Sequence, residues 1–168
     1  MTASASPAID VARRAGVEHV VHEYTPAERH ARARDERPDY GMEAAVALGV
    51  APGRVLKTLI AAVDGRLAAA VVPVSHQLDL KGLASALDGK RAELADPAAA
   101  ERASGSVIGG ISPLGMRRPM PTVVDVGALG HATVYVSAGR RGLQLELAPA
   151  DLVHLADART APIARPSG

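Results

Sequence analysis

The sequence predicts a mixed α/β domain built around one central, partly closed sheet flanked by helices. Three observations predict this class: strand-like runs alternate with capped helical segments, no internal repeat stands out, and the apolar residues are almost all aliphatic. The chain has 168 residues without tryptophan or phenylalanine. A single domain over residues 1–168 with a core of many small aliphatic side chains is therefore expected.

Helices are predicted where a capping residue or a proline precedes a helical run. Ser6 and Pro7 begin the first helix in this way and Gly16 ends it, while Asp79 and Asp96 cap two later helices. The predicted helices span residues 6–15, 42–48, 80–87, 97–105 and 149–155.

Strands are predicted where alternating or β-branched apolar residues run between turns. Asp64 and Gly65 lie between two such runs and predict a tight hairpin. Residues 25–39 are highly charged and are expected to form a solvated loop, and the tail 159–166 is a candidate for one more strand. The predicted strands span residues 17–24, 54–63, 66–74, 91–94, 122–126, 133–137 and 143–147.

Composition excludes several classes of function. A net charge of +1 and only three tyrosines as aromatics argue against unaided binding of long nucleic acid, but not against binding a short nucleic-acid end. The absence of cysteine excludes disulfides, thiolate metal sites and a cysteine nucleophile. Six scattered histidines predict no metal site, and no cofactor is expected. With neither a signal peptide nor a membrane span visible, a cytoplasmic location without membrane contact is expected.

A single lysine interrupts one of the apolar strands. Lys57 lies within the run 55–61, where both of its neighbours are apolar or small. A charge in such a strand either snorkels to the surface at an edge or serves a function in a pocket. The residues alone leave these two interpretations open.

A glycine-rich loop follows the fourth predicted helix. Gly109 and Gly110 precede Ile111, Ser112 and Pro113, and such a loop lets a ligand approach bare backbone N–H groups. A merely tight connection is the alternative. Ser112 lacks the surroundings of a hydrolase nucleophile elbow, so a covalent role is disfavoured.

Paired arginines occupy the turn between the last two predicted strands. Arg140 and Arg141 lie within residues 137–142. They are either surface charge on a hairpin or contacts to phosphate, because arginine offers a planar fork to phosphate oxygens.

Several segments, in the order in which they occur along the chain, resemble the YbaK/EbsC-type family of Cys-tRNA(Pro) deacylases. This family belongs with the bacterial prolyl-tRNA synthetase editing domains. The resemblance extends from about residue 17 to residue 163. It is carried by Val55-Leu56-Lys57-Thr58-Leu59, Gln77-Leu78-Asp79-Leu80-Lys81, Ala95-Asp96-Pro97, Gly109-Gly110-Ile111-Ser112-Pro113-Leu114-Gly115, Pro121-Thr122 with Asp125, Val136-Ser137, Arg141-Gly142-Leu143 and Glu146-Leu147.

The resemblance implies a barrel-like mixed sheet and hydrolysis of cysteine mistakenly attached to tRNA(Pro). It also implies action in trans, in a transient complex with prolyl-tRNA synthetase and the mischarged tRNA. Such a complex explains how a nearly neutral protein handles a polyanion.

The resemblance also assigns residues to the site. Lys57 is the essential lysine, and Gly109 and Pro113 are the ends of the family's glycine-to-proline loop. Arg140 replaces a lysine that is common in relatives, and Gln144 stands where some relatives have aspartate. The expected substrate contacts are Tyr24, Tyr40, Thr58, Ile111, Ser112, Pro113, Ser137 and Gln144.

The chemistry required is modest, because an aminoacyl ester is already activated. Backbone N–H groups around Gly109 and Gly110 are expected to orient or polarise the ester, with Lys57 holding a phosphate or assisting the oxyanion. The thiol of a cysteinyl substrate can itself attack the carbonyl, so no protein nucleophile is needed. Two alternatives stay open: an Ala-tRNA(Pro) deacylase, and a non-catalytic module that binds an aminoacyl-tRNA end or a nucleotide.

Overall fold

The computed structural model describes residues 5–26 and 39–167. Its helices are α1 (Pro7–Ala15), α2 (Tyr40–Leu48), α3 (Leu80–Ala86), α4 (Pro97–Ser104) and α5 (Pro149–Leu155). Its strands are β1 (His19–Glu23), β2 (Leu56–Val63), β3 (Arg66–Pro73), β4 (His76–Leu78), β5 (Ala92–Leu94), β6 (Thr122–Asp125), β7 (Val134–Ser137), β8 (Leu143–Leu147), β9 (Arg159–Ala161) and β10 (Ala164–Pro166). Short 3₁₀ turns occupy Pro52–Arg54 and Val126–Gly130.

Local capping sets the helix ends. Ser6 Oγ accepts a hydrogen bond from the N–H of Ile9 (3.2 Å), and Gly16 ends α1 in the left-handed conformation, as predicted. Helix α2 begins earlier than predicted because Asp39 is its cap rather than the last residue of the loop; the Asp39 carboxylate accepts from the N–H of Met42 (3.0 Å). Most of the predicted loop 25–39 lies outside the described residues.

The described strands form three sheets, so the expectation of one central sheet is wrong. A five-stranded mixed sheet has the order β5-β2-β3-β6-β9, an antiparallel sheet has the order β1-β8-β7, and β10 pairs with β4. Within the described ranges, one isolated parallel bridge between Val55 and Tyr135 connects the first two sheets. The mixed α/β class is confirmed. The barrel-like closure is not, because a single bridge replaces the ladder that would join β7 to β2.

The core lies on both faces of the β2–β3 hairpin. On one face, Leu56 and Val71 pack with Ile9 of α1 and with the leucines of β8. On the other face, Ala70 and Val72 pack against α3 and the C-terminal tail. As predicted, the core is aliphatic, and its many alanines let the layers approach closely.

A buried carboxylate fixes the C-terminal tail. Asp125 Oδ1 accepts hydrogen bonds from the N–H groups of Ile163 (3.0 Å) and Ala164 (3.1 Å). The tail therefore splits into two short strands, β9 beside β6 and β10 beside β4. The sequence analysis predicted neither this split nor β4. In the described ranges, no helix has both the length and the apolar character that a membrane crossing needs.

Candidate active site

The site lies where β2 and β7 meet. Val55 and Tyr135 form the parallel bridge and pack in one cluster, so their side chains share a face of the sheet. Lys57 and Ser137 each follow the bridge by two residues. Because strand side chains alternate, both lie on the same face as the bridge residues, on two strands that run parallel away from the bridge. The fold thus places the predicted lysine and the predicted serine on one face near the bridge.

Ser137 connects this junction to the glycine loop. Its hydroxyl donates a hydrogen bond to the carbonyl oxygen of Gly110 (2.8 Å) and accepts one from the N–H of Gly139 (3.2 Å). The hydroxyl is buried. Lys57 and the glycine loop, which the sequence placed far apart along the chain, therefore border the same place.

The loop needs glycine at both positions of the pair. Residues Val107 to Gly110 form a turn closed by the N–H of Gly110 and the carbonyl of Val107 (2.9 Å), with Gly109 at a φ of +90°. A Cβ on Gly109 would lie 2.5 Å from the Tyr40 ring, and one on Gly110 would lie 2.7 Å from the Cα of Arg140. The N–H of Gly110 is already used within the turn, which differs from the expectation that it faces the ester.

Tyr40 and Arg141 close the site from the side of α2. The Arg141 guanidinium lies 4.4 Å from the centre of the Tyr40 ring and bonds both carboxylate oxygens of Glu43 (2.8 and 3.1 Å). This ion pair is largely buried. Arg141 is therefore not free surface charge; its pair with Glu43 holds the β7–β8 turn against α2. Glu43 and the cap Asp39 were missed by sequence reasoning.

Arg140 behaves differently from its neighbour. Its side chain is exposed, and its ion-pair partner among the described residues is Glu23 at 3.9 Å. Of the two arginines, Arg140 is the exposed one.

Lys57 is half-buried and carries no hydrogen bond or ion pair within the part of the chain that the structure describes. Burial lowers the pKa of Lys57, and the negative charge of Asp39 opposes this shift. The interaction with Asp39 places the ammonium near the start of α2, where Tyr40 meets Gly109. An incompletely solvated cation at this position attracts an anionic group of a ligand.

Gln144 lies opposite Ser137 in the β7–β8 pair, on the same face. Gln144 is 6% exposed, and its Oε1 atom has no hydrogen-bond partner among the described residues. Burial raises the pKa of the Tyr24 phenol, and interactions with the backbone of Gly142 and with the Gln144 side chain partly offset this effect. Because buried acceptors in proteins are normally paired, this Oε1 is a candidate acceptor for a ligand donor.

Four of the predicted substrate contacts are buried. They are Thr58, Pro113, Ile111, which packs against Ile60, and Ser112, whose Oγ accepts from the N–H of Leu114 (3.2 Å). Their roles in substrate binding stay predictions.

A polar cluster lies next to the site on the same sheet face. His22 and Glu146 are hydrogen-bonded at 2.8 Å, and the Thr133 hydroxyl bonds the other oxygen of that carboxylate. The Thr133 hydrogen bond and the interaction with His22 lower the pKa of Glu146 against the effect of burial. Within the described residues, no group of three or more His, Cys, Asp or Glu side chains could hold a metal ion.

The aminoacyl-tRNA editing domain family matches the chain over residues 39–155. This stretch is more than half of the chain, and the chain belongs to that family. The match includes Lys57, the glycine loop, Ser137 and Gln144, whereas Tyr24 lies before it. The predicted family is thereby confirmed, as is the expectation of an aminoacyl-tRNA deacylase, a hydrolase.

Individual relatives agree with this assignment. Over 121 residues the chain is 38% identical to EbsC of Enterococcus faecalis, named as a candidate Cys-tRNA(Pro)/Cys-tRNA(Cys) deacylase; this covers 71% of the chain and 73% of EbsC. A proline–tRNA ligase of Geobacillus kaustophilus is 30% identical over 104 residues, which are 62% of this chain and 18% of the ligase.

Solved structures share the fold. The crystal structure of a hypothetical protein has a TM-score of 0.80 at 25% identity, covering 95% of this chain and 100% of the other. The structure of a candidate trans-editing enzyme for prolyl-tRNA synthetase has a TM-score of 0.75 at 24% identity, covering 96% and 99%.

Proposed function

We propose that the protein removes cysteine from mischarged Cys-tRNA(Pro), acting in trans as a separate editing enzyme. The observations that support the proposal are the common face on which Lys57 and Ser137 follow the bridge, and the hydrogen bond from Ser137 to Gly110 of the glycine loop. The likeness to EbsC supports cysteine as the amino acid. The shorter match to a proline–tRNA ligase supports tRNA(Pro) and a transient complex with the synthetase.

The lysine supplies positive charge where the reaction develops negative charge. Lys57 is half-buried, and its ammonium has no ion pair among the described residues, so it is free to meet the ester oxyanion or the terminal phosphate. Such a fixed charge stabilises a developing oxyanion more strongly in a partly dry site than in water. Gln144 Oε1 is a free acceptor for an N–H or O–H donor of the aminoacyl-adenosine end.

The substrate's own thiol serves as the nucleophile. Its sulfur attacks the ester carbonyl; a carbon–sulfur bond forms, the ester carbon–oxygen bond breaks, and the 3′-terminal ribose oxygen takes up the proton that the thiol releases. A small thiolactone leaves, and water opens it to free cysteine. This route fits a chain without cysteine in which the Ser112 hydroxyl is already held by the loop.

The decisive assay incubates the pure protein with Cys-, Ala- and Ser-charged tRNA(Pro). Release of cysteine well above alanine and serine is expected, because a hydroxyl is a weaker nucleophile than a thiolate and alanine offers neither. Equal rates of release for serine and cysteine would contradict thiol assistance and would indicate that an activated water is the nucleophile. Faster release of alanine would move the protein to the Ala-tRNA(Pro) class, and no release from any of the three would leave a binding module.

The lysine is tested by Lys57→Ala. We expect release of cysteine to fall by at least about 100-fold, the scale of losing one oxyanion donor, with the thermal unfolding midpoint unchanged or raised. Lys90→Ala is the matched control, since Lys90 is exposed at the far end of the β2–β3 hairpin. Near-normal turnover by Lys57→Ala would remove this residue from the mechanism.

A further inference from the structure

A cleft lies beside the glycine loop. It is bordered by the start of α1, the end of α4 and the β7–β8 turn, and its wall contains Ser112 of the loop itself. Two arginines, Arg117 and Arg140, line it together with serine hydroxyls, and no carboxylate lines it. Its lining is therefore cationic in a protein whose net charge is only +1.

Both arginines are held by their backbones while their side chains remain exposed. The N–H of Arg117 donates to the carbonyl of Ser104 (3.1 Å), and that of Arg118 to the carbonyl of Ala103 (2.9 Å), so the end of α4 fixes this loop. Arg117 lies across Gly105, where an added Cβ would be 3.3 Å from the Cβ of Arg117. Within the described chain, Arg117 has no ion pair, and its guanidinium is free for an anion.

Arg140 links the cleft to the site. Its backbone lies against Gly110, 2.7 Å from where a Cβ on that glycine would be. The carboxylate nearest to its guanidinium, Glu23, is exposed and 3.9 Å away, a contact that contributes little. Arg141, by contrast, is already neutralised by Glu43. Arg140 therefore lies between the glycine loop and the cleft, with an exposed guanidinium.

We propose that the cleft between Arg117 and Arg140 binds backbone phosphate of the tRNA strand whose aminoacylated end occupies the site. This inference rests on the proposed function. The guanidinium fork suits phosphate oxygens, and two such contacts supply the affinity that a nearly neutral protein otherwise lacks. The site reads the acyl group, and the cleft holds the strand without reading its sequence.

The test measures binding of uncharged tRNA(Pro) over a range of salt concentrations, which requires no catalysis. For the double variant Arg117→Ala/Arg140→Ala, we expect an affinity loss of about tenfold at low salt and a salt slope shallower by about 1 for each arginine. The matched control is Arg66→Ala/Arg165→Ala, which removes the same charge from two exposed positions outside the cleft. Arg117→Lys/Arg140→Lys is expected to keep the slope.

Several outcomes would overturn the proposal. One is a cleft variant that binds tRNA with the wild-type affinity and slope, and another is a control variant that loses as much as the cleft variant. Inorganic phosphate that binds the wild type and not the cleft variant, with tRNA binding unaffected, would assign the cleft to a free anion instead. If the cleft variant loses tRNA binding while the wild type releases no amino acid from any charged tRNA, the proposed deacylase function is wrong but the cleft is still a tRNA-binding site.

Discussion

The two faces of the β7–β8 pair differ in composition and in what they contribute. One face carries Leu143, Leu145 and Leu147, which are exposed by 1% or less and pack into the main core. The other carries Ser137 and Gln144, polar groups that border the site. Because side chains alternate along a strand, one set of residues packs into the core and the residues between them face the candidate site. We therefore expect stability and activity to be separable within this strand pair, and substitutions can test this.

The largest effect on stability is expected on the core face. Leu145→Ala removes a fully buried side chain and leaves a cavity, which costs about 2–5 kcal/mol of the free energy of unfolding. Urea unfolding measures this loss. Val20→Ala on the neighbouring strand is the control, because Val20 is half exposed and its truncation costs far less. Equal losses from the two variants would mean that the core face carries no special share of the stability.

A smaller effect on stability, with a clear effect on activity, is expected on the site face. Gln144→Leu removes a buried Oε1 that has no partner among the described residues, and with it the interaction of the amide with Tyr24, so the free energy of unfolding should fall by only about 1 kcal/mol. Release of cysteine should nevertheless fall by about tenfold, the value of one lost hydrogen bond to a substrate. Gln77→Leu, at an exposed position on β4, is the control for activity. Full activity in Gln144→Leu would separate this residue from the site.

The smallest effect concerns Lys57 and pH. Burial lowers the pKa of Lys57 below its ordinary value of 10.5, so the folded chain gives up this proton at a lower pH than the unfolded chain. Between the lowered pKa and 10.5 the unfolded state binds more protons, and the free energy of unfolding contributed by this residue rises with pH. At pH values below that window Lys57 is charged in both states, and its desolvation in the folded state lowers the free energy of unfolding by the full amount.

The comparison with Lys57→Met isolates this contribution. At pH 7 the variant is expected to be slightly more stable than the wild type, and the difference should shrink as pH approaches 10.5. Denaturant unfolding at a series of pH values measures it. A difference that stays constant across the window would show that Lys57 is not desolvated in the folded protein.

The sequence predicted those candidate site residues that are unusual for the segment in which they lie. Lys57 stands out in an apolar strand, and Gly109 and Gly110 stand out by their spacing. The Arg141–Glu43 pair could not be found in this way, because it joins the β7–β8 turn to α2 and neither residue is unusual where it stands. Asp39 could have been found, since aspartate before a helical run is a common cap.

The fold was predictable element by element but not in its assembly. Most helices and strands lie within a few residues of their predicted bounds, as hydrophobic alternation and caps are local signals. The division into three sheets depends on whether β7 and β2 form a ladder or a single bridge. That choice is made by packing between segments that are distant in sequence, where local patterns carry no information.

The single bridge between Val55 and Tyr135 also affects when the candidate site can assemble during synthesis. The bridge next to Lys57 forms only after a strand from the last third of the chain has been made, and contacts of such long sequence separation form slowly. During synthesis, the emerging N-terminal half therefore carries Lys57 without the rest of the candidate site. A ribosome-bound fragment that ends before Ser137 would leave every charged tRNA it meets intact.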